Sequence, residues 1–89
     1  MRRARLTSVA AADYAAAVEW YLSQDVGAAS RFDDELNREI EAIEANPELC
    51  PYFADRDQFR LMRQFPFSIQ YRQLPDQIAI LSIRHHSRG

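Results

Sequence analysis

The spacing of apolar residues in this 89-residue chain changes at Asn46–Pro47, and that change constrains the fold more than any other feature. Before it, apolar residues recur at intervals of three and four, which places them on one face of an α-helix. After it, they alternate with polar residues, which is the period of a half-buried strand. Proline disfavours the helical conformation in the residue before it, so helical structure should end near Asn46. The sequence therefore predicts helices in the first half and most of a sheet in the second.

Two helices are predicted in the first half. The first covers Val9–Ser23, and Thr7 or Ser8 is suited to cap it by accepting a backbone hydrogen bond. The second follows a break at Gln24–Gly27, with Asp25 as its cap. The apolar stripes are Ala10, Tyr14, Ala17, Val18 and Tyr21 in the first helix and Phe32, Leu36, Ile40 and Ile43 in the second. Because the connection is short, we expect an antiparallel helical hairpin.

Four strands are predicted around this hairpin. Arg3–Thr7 alternates polar and apolar residues, and Phe59–Gln64 forms a second strand. Phe67–Arg72 alternates cleanly, and after a proline-containing turn Ile78–Ile83 is apolar on both faces, as in an interior strand covered on both sides or nearly so. The order β-α-α-β-β-β predicts an α+β fold. A single domain over residues 1–89 would then pack its helical hairpin on one face of a small antiparallel sheet.

Charge is divided between the two halves. Residues 9–48 carry ten acidic side chains and two arginines, whereas residues 56–89 carry six arginines and two acidic side chains. All eleven basic residues are arginine, the side chain that makes bidentate contacts with carboxylates and phosphates. The net charge of −2 hides this division. We expect an acidic helical layer and a basic sheet.

The composition points to a cytoplasmic protein. No apolar run approaches the roughly 18 residues needed to cross a bilayer, and the N-terminus does not continue into the apolar stretch of a signal peptide. The lone Cys50 has no partner for an internal disulfide. His85–His86 has no cysteine or carboxylate at ligand spacing, so neither a metal nor a cofactor is expected.

Several motifs occur in a fixed order along the chain. The most specific runs from Phe59–Arg60 to Phe65-Pro66-Phe67-x-Ile69-x-Tyr71-Arg72, and Ile78–Ile83 leads to His85-x-x-Arg88. The helices add Ala12-Asp13, Trp20-Tyr21, Arg31-Phe32 and Ile43-x-x-Asn46-Pro47. Together these motifs resemble the ParE/RelE toxin superfamily, which includes plasmid-stabilisation proteins. The resemblance implies a bacterial toxin that is neutralised by a small antitoxin encoded beside it.

The resemblance leaves two mechanisms open, because RelE-like members cleave messenger RNA on the ribosome and ParE-like members poison DNA gyrase. Cleavage needs a base, an acid and charge stabilisation of the phosphorane. The side chains that could supply them are His85, His86, Arg60, Arg63 and Arg88. The chain departs from the RelE pattern, since it has no lysine on the second strand, has Ser68 at an arginine position and lacks a C-terminal tyrosine. We therefore expect a non-enzymatic inhibitor of gyrase, with an mRNA endonuclease as the alternative and an inert binding module as a third possibility.

Contact residues are predicted for two roles. Trp20 lies roughly 80 to 100° away from the buried stripe of its helix and is predicted, with Arg60 and Arg72, to bind the antitoxin. Pairing of these arginines with loop acids such as Asp55 and Asp57 is the structural alternative. The C-terminal segment is predicted to act in toxicity through Arg84, His85, His86 and Arg88. The resemblance implies an antitoxin of ribbon-helix-helix or similar type with a flexible segment, which forms a hetero-oligomer with the toxin. The division of charge suggests that this segment adds a strand or helix to the exposed sheet edge and groove and folds as it binds.

Overall fold

Two helices and four strands follow one another in the predicted β-α-α-β-β-β order. A computed structural model describes residues 1–87 of the chain. The elements are β1 (Ala4–Leu6), α1 (Ser8–Gln24), α2 (Val26–Ala45), a short 3-10 turn (Pro47–Leu49), β2 (Asp57–Leu61), β3 (Phe67–Gln73) and β4 (Ile78–His85). The α+β class predicted from the sequence is therefore confirmed.

The helix boundaries follow from their caps. The Thr7 side chain accepts the Ala10 N–H at 3.2 Å and starts α1. Asp25 ends α1 and starts α2, where its carboxylate accepts the Gly27 N–H at 3.1 Å. Asn46 then ends α2 immediately before Pro47, as predicted. A single residue, Asp25, therefore separates the two helices and forces the sharp reversal of the hairpin.

The four strands form one mixed sheet in the order β1-β4-β3-β2. β2 with β3 and β3 with β4 are antiparallel, but β1 runs parallel to β4, so the expectation of a wholly antiparallel sheet is wrong for this pair. Alternation identifies which side chains a strand buries, but it carries no information on the direction of a distant partner. β2 also ends at Leu61, earlier than predicted, and the Met62 N–H makes the last hydrogen bond across this hairpin, to the Phe67 carbonyl at 2.9 Å.

The hydrophobic core lies between the helices and one face of the sheet. Its largest buried side chains come from α2 and from alternate positions of β3 and β4, and they are Phe32, Leu36, Ile43, Ile69, Tyr71, Ile78 and Ile80. β4 is interior to the sheet, as predicted. Both helices pack on the same face, so the other face of β4 is covered only in part: Ala79 is half-buried there and Ser82 is buried. On the opposite face, the buried Ser82 hydroxyl donates to the Gln70 side-chain oxygen at 2.7 Å.

Part of the acidic charge of the helices lies between the two layers instead of on the surface. The buried Glu35 carboxylate accepts the backbone N–H groups of Arg63 at 2.6 Å and Gln64 at 3.2 Å. Glu44 accepts the Ala4 N–H at 2.7 Å, and Asp13 accepts the Ile83 N–H at 2.9 Å. Hydrogen bonds from backbone N–H groups satisfy a carboxylate that is withdrawn from water. These acids therefore attach the helices to the sheet.

Candidate functional site

An open groove lies between α1 and the second half of β4. β1 pairs with β4 only from Ile78 to Ile80, whereas β4 continues to His85. The space beside this extension has a volume of about 420 Å³, within the range of roughly 300 to 1,000 Å³ usual for ligand sites. Its lining comes chiefly from Val9, Asp13, Ala16, Ala17 and Trp20 of α1 and from Ser82, Ile83, Arg84 and His85 of β4.

One wall of the groove is apolar and accessible. Trp20 is 45% exposed and Val9 is 59% exposed. The Trp20 ring contacts Tyr21 edge-on, with 5.0 Å between ring centroids, and Tyr21 in turn packs against the core. The small side chains of Ala16 and Ala17 leave room between this wall and β4. An accessible tryptophan beside an apolar recess is typical of a protein contact. Antitoxin binding by Trp20 stays a prediction.

Asp13 forms the polar part of the groove. Its side chain is partly buried, and its Oδ2 atom accepts the Ile83 N–H at 2.9 Å. In the sequence, Asp13 stands out only as part of the Ala12-Asp13 motif, which does not predict this role. A signal was present, because position 13 is three residues after Ala10 and four before Ala17, both buried in α1. An acid at that spacing projects toward the core and needs a donor there.

The C-terminal residues predicted to act in toxicity point in different directions. His85 faces the helices, edge-on to Phe67 with 5.0 Å between ring centroids, and its Nδ1 accepts the Ser87 N–H at 3.1 Å. Arg84 is exposed and, by strand alternation, points to the opposite face of the sheet. His86 is also exposed, and its N–H donates to the Pro66 carbonyl at 2.8 Å. Arg88 lies outside the described residues.

Arg60 faces α2 and is engaged within the fold. Its Nε donates to the buried Glu39 carboxylate, and this hydrogen bond raises the pKa of the Arg60 guanidinium. In the register of the sheet, Arg60 lies opposite Ile69, which lies opposite Ile83. Two strand spacings, about 10 Å, therefore separate the Arg60 backbone from β4. Arg63, at the β2–β3 turn, has an exposed side chain.

Arg72 pairs across the sheet with Asp57. The two residues are register partners on β3 and β2, with Nε at 2.6 Å from Oδ1 and Nη2 at 3.1 Å from Oδ2. This bidentate contact lowers the pKa of the Asp57 carboxyl and raises the pKa of the Arg72 guanidinium. Pairing with an acid was the alternative expected for both arginines. Asp57 is the partner of Arg72, whereas Arg60 pairs with Glu39 of α2 instead of a loop acid.

A membrane span and a metal centre are two features that residues 1–87 do not show. Within residues 1–87, no helix is long and apolar enough to cross a membrane. In the same part of the chain, no group of three or more histidine, cysteine, aspartate or glutamate side chains could hold a metal ion.

A helical hairpin on one face of a four-stranded mixed sheet is a fold that this chain shares with a solved toxin–antitoxin system. A solved structure, the chromosomal ParDE TA system from P. aeruginosa, superimposes with a TM-score of 0.84 over 96% of both chains at 20% identity, which shows a common fold. The family model described as the ParE toxin of the type II toxin-antitoxin system, parDE, matches residues 4–89. The chain belongs to the ParE toxin family. No curated protein matches it.

Proposed function

We propose that this chain is a cytoplasmic toxin that inhibits DNA gyrase, does not cleave RNA, and is neutralised by a cognate antitoxin. Membership of the ParE toxin family supports the toxin role. The absence of RNA cleavage is supported by one observation, the separation of two of the candidate catalytic side chains. His85 faces α1, whereas Arg60 is paired with Glu39 against α2.

This separation matters because cleavage through a 2′-hydroxyl requires its groups to converge on one phosphate. A base, an acid and a cation must all lie within about 3 Å of the reacting atoms. Arg60 would have to leave the Glu39 carboxylate, and its backbone lies about 10 Å from β4, the strand that carries His85. Inhibition of a protein target makes no such demand, because binding through a surface is sufficient.

The groove beside β4 supports the antitoxin part of the proposal. It combines the accessible Trp20 and Val9 with the exposed Arg84 at its rim. The structure from P. aeruginosa is that of a ParDE TA system, and we propose that this chain likewise has an antitoxin partner. Aromatic residues in partly enclosed recesses carry much of the binding energy of protein interfaces.

Controlled expression in a bacterial host tests the proposal. We expect filamentation, double-strand DNA breaks and an SOS response, growth rescued by the antitoxin encoded beside the toxin gene, and inhibition of purified gyrase in a supercoiling assay. Cleavage of messages at the ribosomal A site should stay at the background of uninduced cells, both for the wild type and for the double variant His85→Ala/His86→Ala. Messages cut at the ribosomal A site would overturn the proposal in favour of an endonuclease. A lack of any growth effect would identify an inert binding module.

A further inference from the structure

The edge of β4 is only half covered by β1. β1 pairs with β4 in register from Ile78 to Ile80, and the Thr7 hydroxyl then donates to the Leu81 carbonyl at 3.2 Å. In the part of the chain that the structure describes, no strand pairs with β4 on this side beyond that point. A strand edge left in this way presents backbone groups to another chain.

The Ile83 N–H is directed toward this open side. In an antiparallel pair, residues alternate between those that bond the neighbouring strand and those that point away from it. The His86 N–H bonds the Pro66 carbonyl, on the β3 side. The Ile83 N–H is three positions earlier, so it points away from β3, and Asp13 Oδ2 accepts it at 2.9 Å. The carboxylate therefore occupies the place that a carbonyl of an added strand would take.

We propose that Asp13 is a placeholder for a partner strand, and that an extended segment of the antitoxin binds beside β4 by displacing this carboxylate from Ile83. The inference rests on the proposed function, because it assigns that partner a binding mode. Added strands obtain affinity from backbone hydrogen bonds and specificity from pockets for alternate side chains. Beside Ile83, the space over Ala16 and Ala17, walled by Trp20, would receive one such side chain.

The charges of the groove indicate what the segment carries. Asp13 is the one acidic residue among the described residues that line the groove, and it is engaged with Ile83. Arg84 at the rim is exposed. A segment that places an acidic side chain near Arg84 and an apolar one against Trp20 is complementary to both. An acidic residue placed directly beside Asp13, in contrast, would be repelled until Asp13 moves away.

The test is a comparison of three variants with the wild type, using the antitoxin encoded beside the gene as the probe. Asp13→Ala frees the Ile83 N–H and removes the charge. Asp13→Asn removes the charge but keeps an acceptor. Glu19→Ala is the matched control, because it removes an exposed acid of the same helix that does not line the groove. Dissociation constants are measured by titration calorimetry, with circular dichroism to verify folding.

We expect Asp13→Ala to tighten binding about three- to tenfold, the gain of one uncontested hydrogen bond. Asp13→Asn should tighten binding less. Glu19→Ala should leave the dissociation constant within about twofold of the wild-type value, because it removes only a charge at the rim of the interface. Unchanged or weaker binding by a folded Asp13→Ala variant would overturn the inference.

Hydrogen exchange of the wild-type complex provides a second test that needs no variant. We expect the Ile83 amide to exchange more slowly in the complex than in the free toxin, because an added strand replaces a side-chain acceptor. Antitoxin binding without slower exchange at Ile83 would refute this binding mode and leave the proposed function standing. No binding at all would instead count against the proposed function.

Discussion

The Nε of Arg60 on β2 donates to the buried carboxylate of Glu39 on α2, which links the outermost strand of the sheet to the second helix. The Arg60 side chain is 26% exposed and that of Glu39 is 8% exposed. A charge this well enclosed is costly without its partner. The pair therefore has a structural role, whatever Arg60 contributes to a partner.

Glu39→Ala and Arg60→Ala should each lower the free energy of unfolding by about 2 to 3 kcal/mol, less than for a fully buried pair because Arg60 retains contact with water. The double variant should lose about 1 to 2 kcal/mol less than the sum of the two, since neither charge is left behind. Urea denaturation of all four proteins measures this coupling. Strictly additive losses would show that the two side chains contribute to stability independently of each other.

Arg60→Glu is a poor probe of antitoxin binding, because it places a second carboxylate beside that of Glu39.

Glu35 should hold the turn between β2 and β3. Glu35→Ala leaves the N–H groups of Arg63 and Gln64 without their acceptor, and we expect a loss of about 2 to 3 kcal/mol in the free energy of unfolding. Glu35→Gln keeps one acceptor oxygen and should lose less. Asp34→Ala, which removes an exposed acid from the same helix, is the control. Equal effects of Glu35→Ala and Asp34→Ala would contradict this role.

Two tyrosines should make the fold sensitive to alkali. The hydrogen bond to Asp33, followed by burial, raises the pKa of Tyr14, and burial raises the pKa of Tyr71. The native state resists ionisation of both tyrosine hydroxyls. The contribution of the two tyrosines to stability is therefore complete below the pKa of an unfolded tyrosine, about 10, and is lost as the pH rises toward their native pKa values. The free energy of unfolding should therefore fall above about pH 10.

Tyr14→Phe should weaken this pH dependence more than Tyr52→Phe, which alters a 58% exposed side chain. Urea denaturation at a series of pH values, with tyrosinate absorbance recorded in parallel, measures both. A free energy of unfolding that stays constant above about pH 10 would contradict the raised pKa values of Tyr14 and Tyr71. Tyr71→Phe removes a hydrogen bond to the Pro47 carbonyl of 2.6 Å, so its effect on stability must be separated from its effect on pH dependence.

Trp20 should be an energetic centre of antitoxin binding. Trp20→Ala is expected to weaken binding by about 2 kcal/mol, or roughly 30-fold, with little loss of stability because the ring is 45% exposed. Leu22→Ala is the matched control, since Leu22 is 51% exposed on the same helix but does not line the groove. Trp20 is the sole tryptophan, so its emission should shift to the blue on binding. Equal affinities of the two variants would place the antitoxin elsewhere.

Local patterns predicted the elements well because each depends on neighbouring residues. Asp25 caps a helix through its own side chain, and the alternation of Ile69 and Tyr71 reports directly on a strand face. The parallel direction of β1 and the pairing of Arg60 with Glu39 join residues that are distant in the sequence. No local pattern encodes such a pairing. The site was predicted in part, since Trp20 is accessible as expected, whereas Asp13 was missed because its donor, Ile83, is 70 residues away.

The pairing of β1 with β4 also has a consequence for the order of events during synthesis. The contact of Thr7 with Leu81 spans 74 residues, so β1 stays without its sheet partner until almost all of the described chain has left the ribosome. The helical hairpin involves close neighbours and should form earlier, since local contacts have the smaller loop-closure cost. We expect truncated nascent chains that lack β4 to be digested rapidly by protease, and release of the complete chain to confer resistance. A chain built in this way completes its sheet, and with it the groove beside β4, only at the end of its translation.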